Sequence, residues 1–261
     1  MRLLEIENLT HRFGGLKAVC NLNLRLEDGE LMGLIGPNGA GKTTVFNLVS
    51  GFYRPMEGEI KFLGRRIIGL RPHQVTARGI ARTFQNIRLW NSLSVFENLC
   101  ISQHSQLGYG FFQSILRTPG FVKGEKRVKK RSEELLDLLG LRHYASEFPR
   151  NLPYGFQRRV EIGRALAVRP RLLLLDEPAA GMNPEEVDEL IEMIRWIRDE
   201  FKLTICLIEH HVRVVMNVCE WIKVLDFGET IADGKPDEIK ANPRVIEAYL
   251  GEEEPADARG N

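Results

Sequence analysis

The sequence predicts an α/β protein built around a mostly parallel sheet, and two observations support this. From residue 158 onward, short apolar segments rich in β-formers alternate with a helical segment. Arg171–Asp176 and Leu203–Ile208 flank the helical Pro184–Glu200. A glycine-rich loop at 36–44 also lies between a short apolar strand and the start of a helix. Because this alternation favours parallel strands, we expect a binding site at their carboxyl ends.

Composition sets the outer limits of the interpretation. The 261 residues suffice for one large domain or two small ones, and 36 Lys+Arg against 35 Asp+Glu give no basic field for nucleic acid. Purely apolar runs such as Leu172–Leu175 are far shorter than the roughly 20 residues of a membrane-spanning helix. The first residues carry acids where a signal peptide would be apolar, and four scattered cysteines form no C-x-x-C pair. We expect a cytosolic chain, without zinc or disulfides, that could dock on a membrane protein.

The first 63 residues have the pattern of antiparallel strands. Two alternating segments are broken by Gly14-Gly15 and Asp28-Gly29, which is typical of hairpins. Their alternating apolar residues are Leu4, Ile6 and Leu9, then Leu22, Leu24 and Leu26. Glu59–Leu63, between two glycines, predicts a further strand. We therefore expect an N-terminal antiparallel β subdomain.

The run from Gly36 to Thr44 fits the pattern G-x-x-x-x-G-K-[ST] of a phosphate-binding loop. Its glycines allow positive φ and turn backbone N–H groups inward, while Lys42 is aimed at the β- and γ-phosphates. The Thr43 hydroxyl is placed to ligate Mg²⁺, and the following helix offers its N-terminus to the phosphates. The predicted phosphate-binding residues are Gly36, Pro37, Asn38, Gly39, Ala40, Gly41, Lys42, Thr43 and Thr44. Because strand, loop and helix come in the required order, we favour a nucleoside triphosphate site in a P-loop core over a chance glycine loop.

Two adjacent acids, Asp176 and Glu177, end the apolar strand that begins at Leu172. Asp176 is placed to hold Mg²⁺ through water, and Glu177 to orient and deprotonate an attacking water. Adjacent acids at this position could instead cap the next helix. The phosphate loop in the same chain favours catalysis.

Helical patterns fill two further regions. Between about 91 and 150, a face of five leucines follows the basic run Lys123–Arg131. That run could contact phospholipid or nucleic acid, but we favour a solvated helix face. In Pro184–Glu200, apolar residues recur at helical spacing after Asn183 as cap and Pro184 as first helical residue. The two apolar sets are Leu135, Leu136, Leu138, Leu139 and Leu141, and Val187, Leu190, Ile191, Ile194 and Ile197.

With these residues in place, the chain resembles the ATP-binding subunits of ABC transporters over essentially its whole length. Asn151–Arg159 stands where that family has its signature motif, usually L-S-G-G-Q, followed by a helix. The resemblance implies that this helix start holds the γ-phosphate of ATP bound by the other subunit of a head-to-tail dimer. The signature residues so implied are Pro153, Tyr154, Gly155, Phe156 and Gln157.

The resemblance also implies roles for single residues, each of which alone would have an ordinary structural explanation. Gln85 would reach Mg²⁺ and the attacking water and link the nucleotide to the membrane subunits. His210 would contact the γ-phosphate, Phe13 would stack on adenine, and Ala180–Pro184 would be the D-loop, which contacts the other ATPase of the dimer; His211 is left as a surface neighbour. The implied catalytic set is Lys42, Gln85, Glu177 and His210, and the implied metal set is Thr43, Gln85 and Asp176.

One departure from the family pattern is Pro153, which stands where the consensus has serine. Proline lacks both a hydroxyl and a backbone N–H, so two donors to phosphate are missing. It nonetheless suits a first helical turn, and Tyr154 and Gly155 still offer N–H groups. We expect a composite site with intact geometry and weakened chemistry. The change to Phe156 has no explanation in the sequence.

Four segments resemble the branched-chain amino acid subfamily: Thr83–Trp90, the insert through Gly108–Lys130, Pro178–Pro184 and Arg244–Gly251. The resemblance implies ATP and Mg²⁺ as ligands, a second ATPase subunit (identical or related), two membrane permease subunits, and indirectly a solute-binding protein. It places the chain peripherally on the cytoplasmic side of the inner membrane. Urea or amide uptake and lipid export stay open as alternatives, although lipid-export ATPases tend to lack the insert. A soluble ABC ATPase of translation or DNA repair and a non-ABC P-loop motor are the remaining alternatives.

The expected organisation is one nucleotide-binding domain over residues 1–251. Within it, 1–90 and 158–235 form the RecA-like catalytic core with the β subdomain. A helical subdomain is inserted at about 91–157, and a C-terminal helix occupies about 236–251. Residues 252–261 form a polar tail.

Overall fold

A computed structural model describes residues 2–104, 107 and 115–250. Its N-terminal sheet consists of β1 (Arg2–Phe13), β2 (Leu16–Glu27), β4 (Glu57–Phe62) and β5 (Arg65–Arg66), in the order β2-β1-β4-β5. All neighbours are antiparallel, with Ile6 of β1 opposite both Leu24 and Ile60. The predicted antiparallel β subdomain is present. Its apolar face packs against Phe46 and the other buried residues of the first helix.

The second sheet carries the functional loops. It consists of β3 (Leu31–Ile35), β6 (Ile80–Arg82), β7 (Leu172–Asp176), β8 (Thr204–Ile208), β9 (Trp221–Asp226) and β10 (Glu229–Gly234). The order is β10-β9-β3-β8-β7-β6, and every pair is parallel except β9 with β10. Every residue of β3, β7 and β8 is buried, because helices cover one face and the first helix with the N-terminal sheet covers the other. The predicted mostly parallel sheet is confirmed, and its carboxyl edge gathers the loops after β3, β7 and β8.

Nine α-helices lie in the described part of the chain. They are α1 (Lys42–Val49), α2 (Pro72–Ala77), α3 (Val95–Ser102), α4 (Pro119–Leu138), α5 (Tyr154–Ala167), α6 (Pro184–Phe201), α7 (Val212–Val218), α8 (Pro236–Lys240) and α9 (Pro243–Leu250), with 3₁₀ turns at Arg142–Tyr144 and Pro149–Asn151. Helix α6 begins as predicted: the Asn183 side chain accepts hydrogen bonds from the N–H groups of Glu185 and Glu186, both at 3.0 Å, and Pro184 follows. None of the helices in these ranges is long and apolar enough to cross a membrane.

Helices α3, α4 and α5 pack together as a helical unit. Contact is closest at Gly163 of α5, where a Cβ atom would lie 2.8 Å from Leu139 and 3.0 Å from Leu99. The predicted boundary near residue 157 falls inside α5, so the packing favours a boundary at the end of that helix. Residues 108–114 of the predicted insert lie outside the described residues.

Two sequence expectations differ from the structure. Leu138 is 39 % exposed, whereas the four other leucines of the predicted face are buried. Position 138 is a helix neighbour of Leu135 but points away from Leu136, so it lies at the edge of the buried face of α4. The single C-terminal helix expected at 236–251 is two helices, because Pro243 cannot donate a hydrogen bond to continue α8. Asn242 instead caps the new helix by accepting from the Arg244 N–H at 3.0 Å. The predicted tail, 252–261, lies outside the described residues.

Candidate active site

The phosphate loop joins β3 to α1 in a conformation that requires glycine at two positions. Gly36 has φ +145°, and a Cβ there would lie 2.0 Å from the Leu225 carbonyl oxygen. Gly41 has φ +102°, and its Cβ would lie 2.1 Å from the Ala18 carbonyl oxygen. A side chain at either position would collide with the backbone carbonyl of a neighbouring segment. The loop is therefore shaped by the strands packed around it.

Lys42 starts α1 and is almost completely buried, with its amine turned into the loop. The Nζ atom donates to the carbonyl oxygens of Gly36 at 2.5 Å and Pro37 at 2.7 Å. A lysine bonded to the loop that carries it holds its charge where phosphate oxygens would lie. The prediction that Lys42 serves the phosphates fits this position.

A cleft of about 410 Å³ runs from the phosphate loop to an aromatic end. Phe13 stands at that end, 45 % exposed, with its ring edge-on to His11 and Tyr53. The cleft lining includes most of the phosphate-binding residues predicted above, together with Gln85 and Glu177: Phe13, Leu16, Lys17, Ala18, Asn38, Gly39, Ala40, Gly41, Lys42, Thr43, Thr44, Gln85, Glu177 and Phe227. The structure thus brings the predicted adenine contact, phosphate loop and catalytic carboxylate into one cleft.

Phe227 is a cleft residue that the sequence reasoning missed. It is 84 % exposed in the turn between β9 and β10, and it shares the cleft lining with Phe13. The turn is tied to the phosphate loop because Gly228 N donates to Ala40 O at 3.0 Å. The sequence signal that could have identified it is an aromatic residue beside a glycine in a short turn between two strands.

Asp176 lies at the buried end of β7 and is held by an arginine that the sequence reasoning did not assign. Arg82 Nη2 contacts Asp176 Oδ2 at 2.7 Å, and the two side chains are only 6 % and 3 % exposed. The same guanidinium donates to Asn47 Oδ1 on α1 at 2.8 Å. Arg82 therefore connects the predicted metal carboxylate to the helix that begins in the phosphate loop.

The residues predicted to hold Mg²⁺ fit that ion by their chemistry. Asp176 Oδ1 is buried and has no hydrogen-bond partner among the described residues, so one carboxylate oxygen remains for a cation. Thr43 and Gln85 line the neighbouring cleft and supply hydroxyl and amide oxygens. A donor set made only of oxygens suits Mg²⁺.

Glu177 follows Asp176 in a strained conformation and meets two other predicted residues. Its φ of +47° is unusual for a residue with a side chain, and its N–H is held by Ile208 O at 2.9 Å. Its Oε2 accepts from Gln85 Nε2 at 2.7 Å and lies 3.8 Å from His210 Nδ1. Glu177, Gln85 and His210 thus converge, as their predicted roles require.

His210 is positioned by Glu209, a second residue that the sequence reasoning missed. Glu209 is fully buried and its Oε2 accepts the N–H groups of His210 and His211, each at 3.0 Å. Its Oε1 accepts the N–H of Ala179 at 2.8 Å, so the same carboxylate also holds the residue just before the predicted D-loop. The His210 side chain is 49 % exposed, and His211 is half-buried at the start of α7.

The signature residues lie apart from this cleft. Pro153 is the N-cap of α5 with ψ 152°, one position before the first helical turn where we expected it. Pro153, Gly155 and Phe156 line a separate cleft of about 280 Å³ together with Met182 of the predicted D-loop. They do not contribute to the lining of the nucleotide cleft described above, and their predicted role toward the ATP of a partner ATPase stays a prediction.

Two of the signature side chains, Gln157 and Phe156, make contacts within this chain. Gln157 Nε2 donates to Leu152 O at 2.9 Å, and Phe156 packs on Tyr144 with ring centroids 4.7 Å apart. Phe156 is therefore an anchor for the 3₁₀ turn at 142–144, which accounts for an aromatic residue at this position.

The signature helix is joined to the segment that carries Gln85. Arg158 is completely buried and donates to the carbonyl oxygens of Phe84 at 2.9 Å and Gln85 at 3.1 Å. Glu161 accepts the Phe84 N–H at 3.2 Å and pairs with Arg158 at 2.6 Å. Burial raises the pKa of Glu161, although Arg158 acts in the opposite direction. A shift of α5 would therefore move the backbone of Gln85.

An open groove of about 540 Å³ is lined in part by Phe84 and Arg88, on either side of Gln85 in the chain. Its exposed end is Trp90, 44 % exposed, with the Arg164 guanidinium 4.3 Å from the ring centroid. Arg88 lies 4.1 Å over the Phe84 ring in the same groove. The groove thus adjoins residues that precede and follow Gln85 in the chain.

Two family models match the sequence. One, described as ABC transporter, covers residues 19–180, and the other, described as branched-chain amino acid ATP-binding cassette transporter, covers residues 229–255. The second match spans β10, α8 and α9.

Curated relatives match along nearly the whole chain. The high-affinity branched-chain amino acid transport ATP-binding protein of Pseudomonas aeruginosa is 45 % identical, over 96 % of this chain and 98 % of its own. Its counterpart in Escherichia coli is 46 % identical with the same coverage. A lipopolysaccharide export ATP-binding protein of Haemophilus influenzae is 33 % identical over 97 % of this chain and 99 % of its own.

Solved structures agree with the fold. The ADP conformation of an ATP-binding cassette from an ABC transporter has a TM-score of 0.83 and 30 % identity, covering 96 % of this chain and 99 % of that one. A dimeric post-hydrolysis cassette bound to ADP and phosphate has a TM-score of 0.74 and 25 % identity, covering 90 % and 99 %. The predicted architecture of a P-loop core, β subdomain and inserted helices is confirmed.

Proposed function

Because this chain belongs to the ABC transporter family and is an ATPase, we propose that it energises an importer of branched-chain amino acids. The observation that carries the proposal is the 45–46 % identity, over nearly full length, with relatives named for that transport. The match at 229–255 to the branched-chain model supports it independently of the catalytic motifs. Lipid export is the second candidate, supported by the weaker 33 % relative.

In this proposal the nucleotide cleft binds ATP with its base at Phe13 and its phosphates on residues 36–44. Thr43, Gln85 and Asp176 would hold Mg²⁺, which neutralises charge on the phosphates during their transfer. Glu177 takes the proton of the attacking water, and Gln85, at 2.7 Å, orients its carboxylate. His210 supports the γ-phosphate from its position 3.8 Å from Glu177.

The site is completed by a second ATPase in the proposed working form. Two ATPases, identical or related, close head to tail over two ATP molecules, and residues 153–157 of each contact the ATP of the other. The separation of those residues from the nucleotide cleft within one chain supports this arrangement. Contacts that exist only with γ-phosphate favour closure, and hydrolysis removes them.

Two permease subunits are the proposed partners at the cytoplasmic face of the inner membrane, where the chain is peripheral. We assign their contact to the groove at Trp90, because Arg158 and Glu161 join its floor to the Gln85 backbone. A permease segment seated there would displace the residue that orients Glu177.

The test is purification of the assembled complex and measurement of its ATPase activity with each candidate solute. The proposal predicts that membrane permeases co-purify and that a branched-chain amino acid with its binding protein stimulates hydrolysis. Trp90→Ala should reduce co-purification, whereas Ile115→Ala, a 62 % exposed residue of the helical region, should not. Recovery with a lipid exporter, with ribosomes or with DNA would contradict the proposal.

A further inference from the structure

The C-terminal helix α9 contacts the phosphate loop through one hydroxyl group. Gly36 N donates to Tyr249 Oη at 3.0 Å, although the two residues are 213 positions apart in the chain. Tyr249 lies within the segment matched by the branched-chain family model, outside the residues matched by the general ABC model. It belongs to none of the motifs that the mechanism uses.

Gly36 is the first residue of the loop after β3, and its backbone is held on two sides. Its carbonyl oxygen accepts from Lys42 Nζ at 2.5 Å, and its α-carbon faces the Leu225 carbonyl. Gly36 is also buried, and a buried N–H needs a partner. The Tyr249 hydroxyl is that partner, so it fixes the amide that precedes the phosphate-binding N–H groups.

The Tyr249 ring is itself held in place. It lies half-buried against the core, and one turn earlier Val245 anchors α9 with 7 % exposure. The ring shares an apolar cleft of about 270 Å³ with Ile35, at the end of β3, and with His210. One side chain of α9 therefore borders both the start of the phosphate loop and the residue predicted to contact the γ-phosphate.

We propose that Tyr249 is a positioning residue for ATP: its hydroxyl holds Gly36 so that the phosphate loop is preorganised to receive the phosphates. The inference rests on the ATPase function of the site. By linkage, a loop loaded with ATP holds α9 more tightly, since each binding event favours the conformation that the other needs.

Tyr249→Phe tests this because it removes the hydroxyl and keeps the ring. We expect the Kd of ATP to rise about fivefold, the size of one net hydrogen bond, with kcat at saturating ATP changed by less than about twofold. Tyr144→Phe is the matched control, because Tyr144 packs its ring on Phe156 and lies in the helical unit. A role in packing alone would leave ATP affinity unchanged in both variants.

Hydrogen exchange gives a readout that does not depend on turnover. The Gly36 amide should exchange faster in Tyr249→Phe than in the wild type, and ATP should slow exchange in α9 of the wild type but not of the variant. Unchanged ATP affinity together with unchanged Gly36 exchange would overturn the proposal. If the wild-type complex itself fails to hydrolyse ATP, the proposed function fails instead.

Discussion

Replacing Arg82 by methionine tests what the buried contact between Arg82 and Asp176 contributes to stability. The pair is in contact at 2.7 Å with both side chains almost fully buried, and Arg82 also donates to Asn47. Methionine preserves much of the aliphatic length of arginine and removes the charge. It leaves the Asp176 carboxylate buried without its counter-ion.

Removing one partner of a buried ion pair costs about 3–5 kcal/mol, because the remaining charge is uncompensated. The guanidinium also lies 5.1 Å from the Phe84 ring centroid and 5.5 Å from that of Phe46, which places the expected loss in the upper half of this range. At about 2–4 °C per kcal/mol for a chain of this size, Tm should fall by roughly 8–20 °C.

The assay is urea unfolding and thermal melting of the nucleotide-free protein. Arg171→Met is the control: Arg171 pairs with Asp28 at 2.8 Å, but the side chains are 46 % and 39 % exposed, and such a pair contributes less than about 1 kcal/mol. MgATP should stabilise Arg82→Met more than the wild type, because a cation at Asp176 replaces the lost charge. Equal losses in the two variants would refute the assignment of Arg82 as the counter-ion of Asp176.

Three further predictions concern catalysis, the signature and the thiols. Glu177→Gln should bind ATP and dimerise but hydrolyse it at least about 10²-fold more slowly, and normal turnover would rule out the general-base role. Pro153→Ser restores a donor worth about 1.5–3 kcal/mol and a preferred N-cap, so ATP-driven dimerisation should tighten about tenfold or more; no change in dimerisation or turnover would make the position neutral. Burial raises the pKa of Cys206 to about 12 and also raises that of Cys219, so both thiols should resist a disulfide reagent at pH 8 until denaturant is added. Rapid labelling of the native protein at either position would contradict their burial.

Much of the nucleotide cleft could be predicted because its determinants are local. The phosphate loop is one short run with glycines at fixed spacing, including Gly36 and Gly41, and Asp176 and Glu177 follow an apolar strand directly. Asn183 and Pro184 likewise predicted the start of α6 from adjacent residues alone. These signals depend on a few neighbouring residues, so they are readable without knowing the fold.

The partners of those residues could not be predicted, because they come from distant parts of the chain. Arg82 meets Asp176 across 94 positions, and Tyr249 meets Gly36 across 213. Glu209 could not be assigned a role from the sequence, since its hydrogen bonds go to the backbone N–H groups of Ala179, His210 and His211. The division of the C-terminal helix was readable in principle, because Pro243 stands within the predicted helix.

The buried carboxylate of Glu209 links two loops, the one after β7 and the one after β8, so that neither can move without the other. One oxygen fixes the backbone at His210 and the other fixes Ala179, the residue just before the predicted D-loop. In the proposed dimer, a displacement of the D-loop would therefore reach His210 through a single side chain. In the proposed mechanism, dimer assembly and the contact of His210 with the γ-phosphate would therefore be mechanically coupled through Glu209.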